Sequence, residues 1–400
     1  MMKRIMALLM ASVMALTLLT ACGSKQKEYP NTQTVYFKDI TKSGKATATF
    51  CHSDSKDSVD VEMDVVEQNA DATIFSCEGD CKTYNMVTFT YGDKKPDAFG
   101  FNPCISGWCN TKNNDYLPYI YGAEVDPAPR FDDVTLSGYG YDKLIHIWKP
   151  ADYDASSKEK YAVVCALDGQ LSVINGRDDQ NLKGCPMFNE QIKAMTKLTG
   201  QKAILVLVEN HVTRDTELVP KLGESFDQKM RGEAVEYDSM DGTQFCDYVA
   251  TTLAPYVQKN YNVYTDAVHT AITGSSLGGL EAFYIAMEHP ELFGTVGALS
   301  PAVWEFDDTL WDEYLSQKSF DKEKSPFIYL YVGGDRPKDN DPVTTEMYQR
   351  LQRMEYPADN LVLHKEENGV HSSMYWRAVF SEFLTAMVYG RIAPLQKQNQ

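Results

Sequence analysis

The sequence predicts an α/β fold, a mostly parallel sheet flanked by helices, behind a β-rich N-terminal segment that reads as a small sandwich. Three observations carry this expectation. Beyond residue 134, short apolar runs without polar alternation are separated by amphipathic helical patterns, as strands buried on both faces require. Residues 32–125 are instead rich in Thr, Val, Tyr and Phe with period-two alternation, broken by Gly, Asn, Asp and Pro, and show no helical stripe. Between them, Asp126-Pro-Ala-Pro129 reads as a hinge.

The elements follow in order. Lys3 and Arg4 give a basic start, residues 5–19 are apolar, and Leu19-Thr-Ala-Cys22 ends the run. The run is too short to cross a bilayer and reads as a signal peptide over residues 1–21. Its last four residues resemble a bacterial lipobox. That resemblance implies cleavage before Cys22, a lipid on its sulfur, and a polar tether over residues 22–31. The mature protein would then sit on the extracytoplasmic face of a bacterial cell membrane, held only by this anchor. An ordinary signal peptide with an incidental cysteine is the alternative.

Strands are expected at 35–37, 46–50, 59–63, 73–75 and 86–89 in the N-terminal domain, residues 32–125. The second domain, residues 126–392, opens with strands at 134–136 and 144–148. Further strands are expected at 162–167, 203–208, 270–273, 296–299, 327–332 and 361–364. Helices are expected near 186–198, 244–259, 278–288, 344–354 and 373–389.

A hydrophobic content of 43% and a charged content of 24% are those of a globular protein. The formal net charge is −18, or −20 once Lys3 and Arg4 are removed. Such a charge argues against nucleic-acid binding and against adhesion to anionic lipid. Eight cysteines follow Cys22. Cys77 with Cys81, Cys104 with Cys109, and Cys185 with Cys246 could form bridges outside the cytoplasm, whereas Cys165 lies in a buried-strand pattern and reads as a free core thiol. Zinc is the competing reading of these spacings, but no histidines cluster beside them.

The strongest chemical signal is Gly274-Ser-Ser276-Leu-Gly278, directly after an expected strand and directly before an expected helix. A nucleophilic serine on a tight strand-to-helix turn needs this arrangement, with small residues two before and two after it. The helix N-terminus also favours negative charge there. Serine needs a base, and the base an orienting acid. Of the histidines after Ser276, His289 stands at the end of the following helix and His364 in a strand pattern. His371 falls in a loop between the last strand and the last helix, where such a base belongs. Asp335 ends the strand Tyr329-Leu-Tyr-Val-Gly-Gly and is the chosen acid; Asp339, Asp341, Glu366 and Glu367 are rivals. Oxyanion donors are expected from the N–H of Leu277 and from Gly169 or Gln170 in Leu167-Asp-Gly-Gln.

Several runs together resemble the putative esterase family over most of residues 131–390. They are Ile147-Trp-Lys-Pro-Ala-Asp-Tyr, Leu167-Asp-Gly-Gln, Arg214-Asp-Thr-Glu-Leu-Val-Pro, Gly274-Ser-Ser-Leu-Gly-Gly-Leu, His289-Pro-Glu-Leu-Phe-Gly, Leu299-Ser-Pro-Ala-Val-Trp304, and His371 with Trp376 after it. This family includes enterochelin, feruloyl and acetylxylan esterases and S-formylglutathione hydrolase. The resemblance implies the α/β-hydrolase fold, ester hydrolysis through an acyl-enzyme, a Ser276–His371–Asp335 triad, and no metal or organic cofactor. The Arg214 run is most similar to the enterochelin esterase branch, where an arginine could meet an acidic or catechol-bearing substrate; alternatively, Arg214 and Glu217 pair to hold a loop.

Trp304, just after a strand end, is a second candidate for substrate contact. The expected partner is a small-molecule or oligosaccharide ester, either carbohydrate-linked or of a small aromatic acid. A siderophore trilactone is one alternative, and a non-catalytic surface binding lipoprotein is another.

Overall fold

The computed structural model describes residues 32–51, 57–80, 83–84, 86–94, 108–110, 116–118, 131–171, 188–210, 214–226, 241–334, 341–366, 369, 371 and 373–388. The expected signal peptide, tether, Cys22 and hinge lie outside them.

The N-terminal part is built from two sheets. In one, β4 (Asp64–Gln68), β5 (Thr73–Asp80), β1 (Thr32–Asp39), β7 (Trp108–Asn110) and β8 (Tyr116–Pro118) lie side by side. In the other, β2 (Ala46–Cys51) is flanked by β3 (Ser58–Glu62) and β6 (Met86–Tyr91). Alternate residues enter one shared core. Val35, Phe37 and Phe75 from the first sheet meet Ala48, Phe50, Val87 and Phe89 from the second, and the Phe37 and Phe89 rings stack at 4.7 Å. The expected sandwich is therefore present, with β4, β7 and β8 added.

The second part is an eight-stranded sheet ordered β16-β15-β14-β13-β11-β12-β10-β9. The hairpin of β9 (Phe131–Gly138) and β10 (Tyr141–Trp148) pairs antiparallel, and β10 joins β12 (Ala203–Val208) antiparallel as well. From β12 onward the neighbours are parallel: β11 (Ala162–Leu167), β13 (Thr270–Ser275), β14 (Thr295–Leu299), β15 (Phe327–Gly333) and β16 (Leu361–Glu366).

Strands β11 to β15 are buried along their length except at Ser275, the last residue of β13, because helices cover both faces, and period two divides their side chains between two cores. Val163, Cys165 and Leu167 of β11 join the core under α3 (Gly242–Tyr248), α4 (Ala254–Asn260), α5 (Leu277–Glu288) and α6 (Asp308–Ser316). Ala162, Val164 and Ala166 join the opposite core under α1 (Phe188–Thr199) and α8 (Ser373–Met387), where Phe188 stacks on Phe380 at 3.7 Å. The final long helix on the other side is α7 (Asp341–Arg353).

The helix expected at 244–259 is α3 and α4 joined by a π turn, Val249–Leu253. Pro255 has no N–H to donate to the turn before it, which is where such a turn is tolerated. Asp241 caps α3 in a full capping box with Gln244.

Cys51, Cys77, Cys165 and Cys246 are free thiols. Cys81, Cys104 and Cys185, with which bridges were expected, lie outside the described residues. Cys246 joins the core from α3 at 2% exposure. Cys165 is the core thiol expected, and burial pushes it up to about 12.

Candidate active site

Order reversal locates the crevice. The chain runs from β11 to β12 on one side, then returns past β11 to β13 on the other. Ligands in open α/β sheets bind at the carboxyl ends of strands flanking such a switch. The end of β11 carries Asp168, Gly169 and Gln170; the end of β13 carries Ser276.

Ser276 occupies the turn between β13 and α5 with φ 58° and ψ −124°, a strained conformation for a residue with a side chain. Three backbone bonds hold it there. Its N–H donates to Leu299 O at 3.0 Å, and its carbonyl accepts from Leu280 at 3.0 Å and Ala302 at 2.9 Å. The turn closes only because Gly274 lacks a side chain: a methyl there would lie 2.2 Å from Gly278 O. At Gly278 a methyl would lie 2.9 Å from Asp168 Oδ2, so the loop after β11 presses against the first turn of α5.

That loop is a 3-10 turn, Gly169–Leu171, backed closely onto Leu207 and Val208 of β12. Gln170 is exposed, and its amide pairs with Asn210, whose N–H donates to Gln170 Oε1 at 3.3 Å. Leu277 is buried as the first residue of α5.

His371 is half-buried and packs edge-to-face with Trp376 at 5.1 Å. Trp376 Nε1 donates to Ser300 Oγ at 3.0 Å. Ser300 is buried, has φ 44°, and directly follows Leu299, the acceptor for Ser276. A chain of adjacent contacts thus links the histidine loop to the serine turn. Gly334 and Gly369 both donate to Glu366 O at 2.9 Å, tying the end of β15 to that loop. Asp335 follows Gly334 but, with Asp339 and Glu367, lies outside the described residues. Asp341 opens α7, and Glu366 is buried at the end of β16.

Arg214 and Glu217 lie on the short α2 (Arg214–Glu217) and do not pair with each other. Arg214 Nε and Nη2 donate to Asp168 Oδ1 and Oδ2, both at 2.7 Å. Glu217 pairs with Lys143 of β10, both nearly fully buried, and burial pulls the Lys143 ammonium below its ordinary value despite that partner. Trp304 is half-buried in a 3-10 turn after β14, with the exposed Phe226 against it edge-to-face at 5.6 Å.

Sequence reasoning missed Asp168, Ser300, Phe226 and Glu281. Glu281 left a signal, a lone carboxylate within the apolar run of α5.

The strand order together with the serine turn defines an α/β-hydrolase. Residues 140–387 match the model of the family described as Putative esterase, and the chain belongs to that family. An uncharacterized protein of Bacillus subtilis, YbbA, is 21% identical over 159 residues, 38% of this chain and 61% of the relative. An endo-1,4-beta-xylanase/feruloyl esterase of Xylanibacter ruminicola is 28% identical over 126 residues, 31% of this chain and 15% of the relative. The chain thus spans less than two thirds of either relative's length. The enterobactin esterase FES of Shigella flexneri, solved in the presence of enterobactin, shares the fold with a TM-score of 0.51 at 15% identity, covering 93% of this chain and 96% of that one.

Proposed function

We propose that this protein is a serine carboxylic-ester hydrolase in which Ser276 attacks the ester carbonyl, His371 moves the proton and Asp335 orients the histidine. The observation that carries the reading is the strained Ser276, held by three backbone bonds at the head of α5. Such strain persists where surrounding structure enforces it, and it lifts the hydroxyl clear of the sheet. Acylation releases the alcohol with a proton from His371; water, deprotonated by His371, then releases the acid. The oxyanion is received by the N–H groups of Leu277 and of Gly169 or Gln170.

The proposed substrate is an ester that is carbohydrate-linked or of a small aromatic acid, met outside the cell by a protein anchored through Cys22. The Phe226–Trp304 pair supports this, since two aromatic faces suit a planar or sugar ring. A trilactone siderophore is the second reading. It is favoured by the likeness in fold to the Shigella enterobactin esterase, which extends through the N-terminal module. Arg214 weighs against it, because two of its donors are committed to Asp168.

Ser276→Ala is the test. A fluorophosphonate probe should label the wild type at Ser276 and leave the variant unlabelled, with hydrolysis of activated esters lost. Equal labelling of both, or none of the wild type, refutes the assignment; the latter favours a binding protein. Feruloylated and acetylated oligosaccharides compared with a catecholate trilactone then decide the substrate. A trilactone advantage of about a hundredfold in kcat/KM replaces the first reading with the second.

A further inference from the structure

The residue pair Asp168–Arg214 stands beside both proposed oxyanion donors. Asp168 is the residue immediately before Gly169 and Gln170, and its Oδ2 lies against Gly278, one residue beyond Leu277. Its side chain is 5% exposed, so water does little to screen it. A bare carboxylate there would repel the negative charge that develops on the carbonyl oxygen. Arg214 meets it with a bidentate fork at 2.7 Å on each oxygen, the geometry that best fixes a carboxylate in place. Asp168 also has φ 54°, in the backbone turn that leads directly into Gly169 and Gln170.

We propose that Arg214 is a positioning residue for the hydrolytic reaction, locking Asp168 and cancelling its charge beside the oxyanion donors. It acts through Asp168 and not by contact with substrate. The sequence Leu167-Asp-Gly-Gln and the run Arg214-Asp-Thr-Glu-Leu-Val-Pro thereby acquire one joint purpose. Arg214 reaches forward from α2 to the donor loop, while Glu217 on the next turn, paired with Lys143, fastens α2 to β10. The inference rests on Ser276 being the nucleophile, and the experiment separates the two.

Steady-state kinetics on a small activated ester are measured for the full mature chain and for Arg214→Met, Arg214→Met/Asp168→Asn, Arg214→Lys and Arg214→Gln, with thermal melts to gate folding. Arg214→Met should lower kcat about a hundredfold, the scale of losing one oxyanion donor, with KM changed by less than about threefold. Removing the Asp168 charge in the double variant should restore kcat by about tenfold or more. A merely mechanical clamp is lost equally in both, so no restoration overturns the proposal. A raised KM with kcat preserved overturns it too, and makes Arg214 a substrate-binding residue.

Should Arg214→Met fail to fold, the lysine and glutamine variants decide. Lysine keeps the charge and should exceed glutamine by about tenfold in kcat; equality overturns the proposal. Failure of fluorophosphonate to label the wild type at Ser276 sinks the catalytic reading and this inference together. Labelling with any of the contrary kinetic outcomes sinks only this one.

Discussion

Glu281 lies five residues beyond Ser276 on α5, and its replacement by methionine is expected to stabilise the protein. The side chain is fully buried, and neither carboxyl oxygen has a hydrogen-bond partner. Gly242 is so close that a methyl on it would sit 2.6 Å from Glu281 Oε2. Burial pushes the carboxyl well above its ordinary range, with the charges of Glu217 and Asp241 adding to the effect. Burial without a partner therefore favours the neutral form of the group in the fold.

Burying an unpartnered polar group costs about 1–3 kcal/mol in proteins, and methionine fills a similar volume without one. The expected gain is of that size, about 2–4 °C in Tm for each kcal/mol in a domain of this length. The sign of the pH dependence follows from the raised value. Above about pH 4.5 the unfolded chain releases a proton that the native state keeps, so stability falls with rising pH until the native carboxyl also ionises. The limiting slope is about 1.4 kcal/mol per pH unit. Urea denaturation at pH 5 and pH 8 should show Glu281→Met ahead of the wild type, and further ahead at pH 8. A variant less stable than the wild type at both values, or an advantage independent of pH, refutes the reasoning.

Three other outcomes are expected. Gly274→Ala should destabilise by about 1–3 kcal/mol or more and abolish turnover, because its methyl meets the Gly278 carbonyl oxygen at 2.2 Å; an unchanged melt contradicts this. Asp335→Asn should lower turnover by several orders of magnitude by depriving His371 of its orientation. Near-full activity there, with loss in Glu366→Gln or Glu367→Gln instead, would move the acid. Cys22→Ser should shift the protein from membrane to medium or leave an uncleaved precursor, judged by fractionation and mass; a free Cys22 thiol in a wholly soluble wild type contradicts lipidation.

The strands β11 to β15 were legible because burial on both faces leaves unbroken apolar runs, and the serine turn because its glycines are set by contact distance. Short elements were not. Strands β7 and β8 have three residues each and α2 four, below any usable period. Helix α6 did leave a signal, Asp307 capping Leu310 N–H ahead of the buried Trp311, Tyr314 and Leu315. The partner of Arg214 was hidden by 46 residues of separation. Cysteine spacing gave no pairing, since it records nothing of which core a thiol faces, as Cys165 and Cys246 do from different elements.

The alternation within β11 and β12 makes the sheet a party wall between two compartments. A substitution at Ile204 or Val206 is felt by the tenants on the α5 side, and one at Leu205 or Leu207 by those beneath α1 and α8. Distant changes in separate compartments combine additively, so each can drift or be redesigned without renegotiating the other. The serine turn has a foot in both, through Leu277 in one core and Leu299, its hydrogen-bond acceptor, in the other. A lineage of such proteins is thus free to vary either compartment alone, and meets a joint constraint at this corner, where the two share a hinge.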